Sequence, residues 1–263
     1  MHQSLFGGAM ALLLAIAPAA HAQTLAPTLY DGPRYPGGPD SLRALVHRST
    51  RLLAPNQAGR VVLQFELKDG QQPGNFKLVG PDRRAKSDLG KAAQAAQQYL
   101  QAQMPAWQPG PPKATDKPGR NPRIMLALNF AADASAQPYP YADQEPTFAY
   151  LPSGARNSNG PEAAAIPAQM AASYSGLAEY VQRQVRYPAD ALRNREQGRV
   201  NVYFEIAENG TVENPEIIGS AGSNLDDEVL RTVRGLRPAA TPGLLNGRPV
   251  RVFYVLPITF KMI

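Results

Sequence analysis

The sequence predicts an α+β protein of two small domains, each a short antiparallel sheet packed against helices. Three observations carry that expectation. In Gly198–Ile206, the residues Val200, Val202, Phe204 and Ile206 alternate with Asn201, Tyr203 and Glu205, the period of a strand with one buried face. The same alternation stands 139 residues earlier, where Val61, Leu63, Phe65 and Leu67 take the apolar phase of Gly59–Leu67. Each strand runs into a hairpin signal, Asp69-Gly70 or Asn209-Gly210, whose residues tolerate the positive φ angles of a type I′ turn. Self-similarity at one spacing over a chain of 263 residues reads as two copies of one unit.

The elements follow in order. Residues 1–22 contain no Lys, Arg, Asp or Glu, and an apolar run from Ala9 to Ala20 leads into Ala20-His21-Ala22, a signal-peptidase pattern with the cut before Gln23. That run is shorter than the roughly 17–25 apolar residues of a membrane span, so the expectation is export to the periplasm, with no transmembrane helix in the mature chain. The first copy, residues 24–130, opens with Tyr35-Pro36-Gly37-Gly38 and places Leu42, Leu45 and Val46 at helical spacing. A second helix over Asp88–Leu100 and a last strand over Ile124–Phe130 complete it. Residues 131–170 hold prolines at 138, 140, 146, 152, 161 and 167 without apolar periodicity and read as a linker, with Pro138-Tyr139-Pro140-Tyr141 a loop packed on its neighbour. The second copy, residues 171–263, begins with Leu177, Tyr180 and Val181 on a helix face and continues into the Gly198 strand. Its main helix is expected to start at Asn224 as N-cap, with Asp226, Asp227 and Glu228 in the first turn and Arg231 and Arg234 toward the end, an order that complements the helix dipole. Val250–Phe260 closes the chain as a strand.

Composition removes several kinds of chemistry. There is no cysteine, so an exported protein of this size rests on its cores rather than on disulfides. Beyond the leader the only histidine is His47, in the helical stretch Ala44–Arg48, where a solvated or capping role suits it. Cysteine nucleophiles and ordinary transition-metal sites are therefore not expected. Asp226, Asp227 and Glu228 are explained by the helix N-terminus, and Gly219-Ser220-Ala221-Gly222-Ser223 lacks the lysine and the spacing of a phosphate loop. No catalytic residue, metal or cofactor is expected, and the chain does not read as an enzyme. Charge divides unevenly: Thr24–Ser135 carries fifteen Lys and Arg against eight Asp and Glu, and Ala136–Ile263 twelve against thirteen. The basic half could meet an anionic glycan, a lipid head group or an acidic peptide segment; nucleic acid is not expected, because no aromatic residues interleave with the basic ones.

Order and spacing in the second copy carry a more specific signal. Tyr187-Pro188-Ala189-Asp190-Ala191 precedes Gly198-Arg199-Val200-Asn201-Val202-Tyr203-Phe204, Asn209-Gly210 follows, and Arg237-Pro238-Ala239 leads to Val250–Phe260 with Pro257-Ile258-Thr259-Phe260 at its end. This resembles the C-terminal domain of TonB-type energy transducers, with the first half resembling a diverged tandem copy. The resemblance implies a protein-recognition module that captures the N-terminal segment of an outer-membrane receptor as an added strand. Full-length members of that family resemble one another in an uncleaved anchor and a long Lys/Glu/Pro-rich spacer, neither of which this sequence carries, so an anchored energy transducer is not the expectation.

The edge supplies the mechanism. Pro257 cannot donate a backbone hydrogen bond, and proline within strands is confined largely to edges and bulges. The partner-binding residues are expected to be Val250, Arg251, Val252, Phe253, Tyr254, Val255 and Pro257, with Val252, Tyr254, Leu256, Ile258 and Phe260 toward the core and Arg251, Phe253 and Val255 on the opposite face. In the first copy Ala127 aligns with Pro257. The expected partner is an outer-membrane TonB-dependent receptor or other envelope protein. The alternative is an envelope-binding module in which the basic first domain grips peptidoglycan or lipopolysaccharide.

Overall fold

The computed structural model describes residues 27–54, 56–81, 86–111, 121–130, 137–148 and 174–262. The expected leader lies outside the described residues, as do 131–136 and 149–173 of the stretch expected to be a linker. In chain order, β1 (Thr28–Leu29), α1 (Gly38–Leu53), β2 (Arg60–Lys68), β3 (Gln72–Val79), α2 (Asp88–Gln103) and β4 (Arg123–Asn129) form the first unit, and β5 (Gln144–Glu145) follows. The second unit runs through α3 (Tyr174–Gln184), α4 (Ala189–Arg193), β6 (Gly198–Ile206), β7 (Val212–Gly219), α5 (Ser223–Arg234), β8 (Gly243–Leu245), β9 (Arg248–Val250) and β10 (Val252–Phe260).

Both units have one topology. A central strand is flanked by its hairpin partner and by the last strand, all antiparallel: β3-β2-β4 in the first unit and β7-β6-β10 in the second. The registers agree along most of both ladders, apart from an extra irregularity at Asn201/Val202 in the second hairpin. Leu63 faces Leu78 and Val202 faces Ile217, each pair displaced by 139. Val62 faces Ala127 and Asn201 faces Pro257, so the position aligned from sequence occupies one place in both ladders. Each central strand is entered through a glycine at positive φ, Gly59 at 122° and Gly198 at 146°, a conformation that side chains strain to adopt.

Local chemistry accounts for the elements. Ser87 caps α2 by accepting from the Gly90 N–H at 3.0 Å. Asp69 and Gly70 both take positive φ, as a type I′ hairpin requires. The second hairpin differs from the expectation: only Gly210 is left-handed, and its N–H bonds Ala207 at 2.9 Å, which gives a longer turn closed by one glycine. The α5 helix also starts earlier than expected, with Gly222 as N-cap. Asn224 instead donates to Glu196 Oε1 at 2.7 Å, tying the helix to the loop before β6.

Helices cover one face of each sheet. Leu42, Val46, Leu63, Phe65 and Leu100 fill the first core, and Leu177, Val202, Phe204, Val229 and Leu256 the second. The opposite faces are not left to water. Val62 and Ala127 of the first sheet meet Tyr203, Ile218, Phe253 and Val255 of the second in a third buried cluster. The expected one-sided strand is therefore buried on both sides, with Tyr203 fully enclosed and Glu205 only 2% exposed. Arg60 makes this possible by crossing the interface to Glu205 at 3.2 Å and Glu216 at 3.4 Å, its guanidinium 4.3 Å from the Tyr203 ring centre.

The stretch read as linker contributes structure. Tyr139, Tyr141, Ala142 and Phe148 are buried, and β5 joins β1 to the β8–β9 hairpin in a small four-stranded sheet. The closing strand is also shorter than expected. The chain breaks at Arg251, so Val250 ends β9 in that small sheet while β10 begins at Val252.

Candidate functional site

Among the described strands β10 pairs with β6 alone, and its other edge is where a partner strand would add. Main-chain groups of successive residues alternate sides in a strand. The Phe253 N–H bonds the Tyr139 carbonyl at 3.3 Å, and the Thr259 N–H bonds Gln182 Oε1 at 2.8 Å. Residues 253, 255, 257 and 259 therefore point their backbone groups away from β6. Pro257 falls in this outward set, so its missing N–H costs the ladder nothing, as the edge reading requires.

The edge is partly taken by the chain itself. The Tyr139 N–H bonds the Arg251 carbonyl at 2.8 Å, and Tyr139 bridges Val252 in parallel. Its side chain reaches the first unit, donating to Asp40 at 2.6 Å and accepting from Arg43 at 2.9 Å, with the Arg43 guanidinium 4.6 Å from the ring centre. At the far end the Gln182 amide donates to the Thr259 carbonyl at 3.0 Å. A strap and a side-chain cap thus hold the two ends of the edge, and Val255 and Pro257 lie between them.

Of the residues expected to bind a partner, Val252, Phe253, Tyr254, Val255 and Pro257 fall on β10, though not on one open face, while Val250 and Arg251 lie outside that strand. Val252 is in the second core with Tyr254 packed against it, whereas Phe253 and Val255 are buried between the sheets, Phe253 stacked on Tyr203 at 5.5 Å. Pro257 is exposed and Val250 half-buried in β9. Arg251 lies at the break among three carboxylates, Glu205 at 2.8 Å, Glu213 at 2.7 Å and Glu208 at 3.6 Å. Hydrogen bonding from Arg251 holds the Glu213 carboxyl below its ordinary value, and the same carboxylates raise Arg251 further. Burial raises the Tyr203 hydroxyl well above its usual range, which keeps it a donor to Glu205 at 2.6 Å. What the strand can offer a partner is its backbone edge rather than a surface of side chains.

Beside that edge runs a cleft of about 680 Å³, walled by the outer face and edge of β4 on one side and by Tyr254, Val255 and Pro257 on the other. Sequence reasoning missed Tyr139 and Gln182 as edge-capping residues. The available signal was Pro138-Tyr139-Pro140, since a residue before proline is pressed into extended backbone suited to lie along a strand.

Residues 183–262 match the family described as Gram-negative bacterial TonB protein C-terminal. The match spans α4, α5 and the whole β6–β10 portion, and its last strand is the edge just described. No curated protein matches the chain at a significant level.

Proposed function

We propose that the protein is a periplasmic recognition factor of TonB-dependent outer-membrane transport, and that it captures an extended segment of an envelope protein along the outward edge of β10. The first unit is, on this reading, a diverged copy of the same domain that braces the second. The observation that carries the proposal is the parallel bridge between Tyr139 and Val252: this edge already accepts an extended segment through backbone hydrogen bonds. The family match of residues 183–262 supports the transport setting. Among the described residues no helix is long and apolar enough to cross a membrane.

A partner strand must displace the Tyr139 strap, and its apparent affinity is reduced by the fraction of time the strap occupies the edge. Tyr139→Phe removes the hydroxyl that holds the strap to Asp40 and Arg43, while leaving its backbone unchanged. Losing bonds of this kind is worth about 1 kcal/mol, so receptor N-terminal peptides should bind the variant about fivefold more tightly than the parent chain. Titration of the full chain should shift the amides of Tyr139 and of 253–256 together. If no receptor peptide moves those amides in either protein, capture at β10 is wrong.

A further inference from the structure

The interface between the two sheets has two ends built from equivalent positions, and they differ in charge. Arg60 opens β2, and Arg199 stands 139 residues later near the start of β6, the spacing that relates the two hairpins. Across the interface Arg60 finds Tyr203, Glu205 and Glu216. The positions that answer to these three in the first unit are Gln64, Glu66 and Lys77, with Gln64 facing Lys77 in its ladder as Tyr203 faces Glu216. One end is therefore closed by a cation between two carboxylates. At the other end a lysine stands where Glu216 would be, and Glu66 is engaged elsewhere, by Asn75 at 3.0 Å and Arg123 at 3.9 Å.

The cleft of about 680 Å³ opens at this second end. Lys77, Arg123 and Arg199 all line it, brought together by β3, β4 and β6, and all three are exposed. Among the described residues neither Lys77 nor Arg199 has an ion pair, and Arg123 has only its long contact to Glu66. Three cations against one lining carboxylate, Glu145, leave an excess of two positive charges in a concave site, where the field is focused. The remaining wall is apolar. Half-buried Val79 and Met125 pack on the cluster that joins the sheets, and they line the cleft together with Val255 and Pro257. The cleft is thus the inter-sheet core running out into solvent beneath three cations, at a volume within the range of small-molecule sites, about 300–1,000 Å³.

We propose that this cleft binds a phosphorylated amphiphile, a phosphate monoester carried on a hydrocarbon chain. The phosphate, with a charge of about −1.5 to −2 near neutral pH, takes charge-assisted bonds from Lys77, Arg123 and Arg199. The chain lies on Val79, Met125 and Val255. A carboxylate answers only half of the excess charge, and a bare phosphate leaves the apolar wall in water. The bound anion stands in for the carboxylate that Glu216 supplies at the closed end. The site uses side chains on the sheet faces rather than a backbone edge, and it does not depend on peptide capture at β10.

The probe is octyl phosphate, kept below the concentration at which it forms micelles, with octyltrimethylammonium and inorganic phosphate beside it. On the full chain, octyl phosphate should move the methyl resonance of Met125, and octyltrimethylammonium should not. Inorganic phosphate should bind at least about tenfold more weakly, because even two buried methylenes are worth that much. Lys77→Glu restores a carboxylate at the position equivalent to Glu216. It should leave the fold intact and weaken octyl phosphate about tenfold, and Arg199→Leu, on another exposed side chain, should do the same. An unmoved Met125 methyl, equal binding of the ammonium, equal binding of inorganic phosphate, or octyl phosphate binding unchanged in both variants each overturns the proposal. Receptor peptides play no part in this readout, so its failure leaves β10 capture standing.

Discussion

β4 and β10 hold the same place in two sheets of one topology, yet they present different outer faces. The ladders align Arg123 with Phe253, Met125 with Val255 and Ala127 with Pro257. On β10 this face is apolar and is buried against the other sheet at Phe253 and Val255. On β4 the contact fades from buried Ala127 through half-buried Met125 to exposed Arg123. One strand thus spends its face on holding the units together, while the other leaves part of its face to a cleft. Two units of one topology can present different surfaces while keeping the same strand order, because each strand has two faces and an edge that can be packed or left open separately.

The comparison predicts unequal responses at equivalent positions. Phe253→Ala removes a ring stacked on Tyr203 in the buried cluster and should cost about 3–5 kcal/mol. Arg123→Ala touches an exposed side chain with one long ion pair and should stay within about 0.5 kcal/mol. Denaturant unfolding of the full chain measures both. Comparable losses at the two positions would mean that the sheets are not held as described.

How much of this was readable beforehand follows the same division. Period-two alternation set β2 and β6 in phase with their cores, and the 139-residue offset fixed the hairpin registers, because local pattern and turn chemistry decide those. The phase of β10 was readable too, with Leu256, Ile258 and Phe260 in the core and Phe253 opposite. What lay across the opposite face was not. Tyr203 and Glu205 look like ordinary outward residues until a second sheet arrives, and Arg60, their cross-unit partner, sits over 140 positions away with nothing local to mark it. The candidate edge was legible through Pro257, but its occupation by Tyr139 depends on where a proline-rich segment travels, and periodicity is silent on that.

A smaller effect concerns pH, at the start of β10. Hydrogen bonding from Arg251, at the start of β10, holds Glu213 below its ordinary value of 4.5. A carboxylate with a lowered folded value contributes stability that is fully present above its unfolded value and disappears as pH falls through the folded one. Stability should therefore decline below about pH 4.5, and Arg251→Ala should flatten part of that decline, by less than about 1 kcal/mol since Glu213 is substantially exposed. Unfolding curves across the acid range would show whether the parent and the Arg251 variant converge there.

The least costly change asks the sharpest question about the edges. Pro257 is exposed, points its backbone nitrogen away from β6 and gives up no ladder bond, so Pro257→Ala removes only the stiffness proline lends the unfolded chain, about 0.4–1 kcal/mol. It also restores an outward N–H between Val255 and Thr259, at the position where β4 keeps one through Ala127. Unbroken edges invite pairing with other strands, and proline is one of the devices that blunts them. Sedimentation over a concentration series should then show more self-association in the variant than in the parent chain, with little loss of stability. Receptor peptides separate blunting from recruitment. If proline only protects the edge, the added donor should tighten peptide binding along with self-association. Weaker peptide binding, with self-association still raised, would mean that the proline ring itself touches the partner. That outcome would give β10 a recognition contact that Ala127 denies to β4, and the two edges would differ in specificity as well as in exposure.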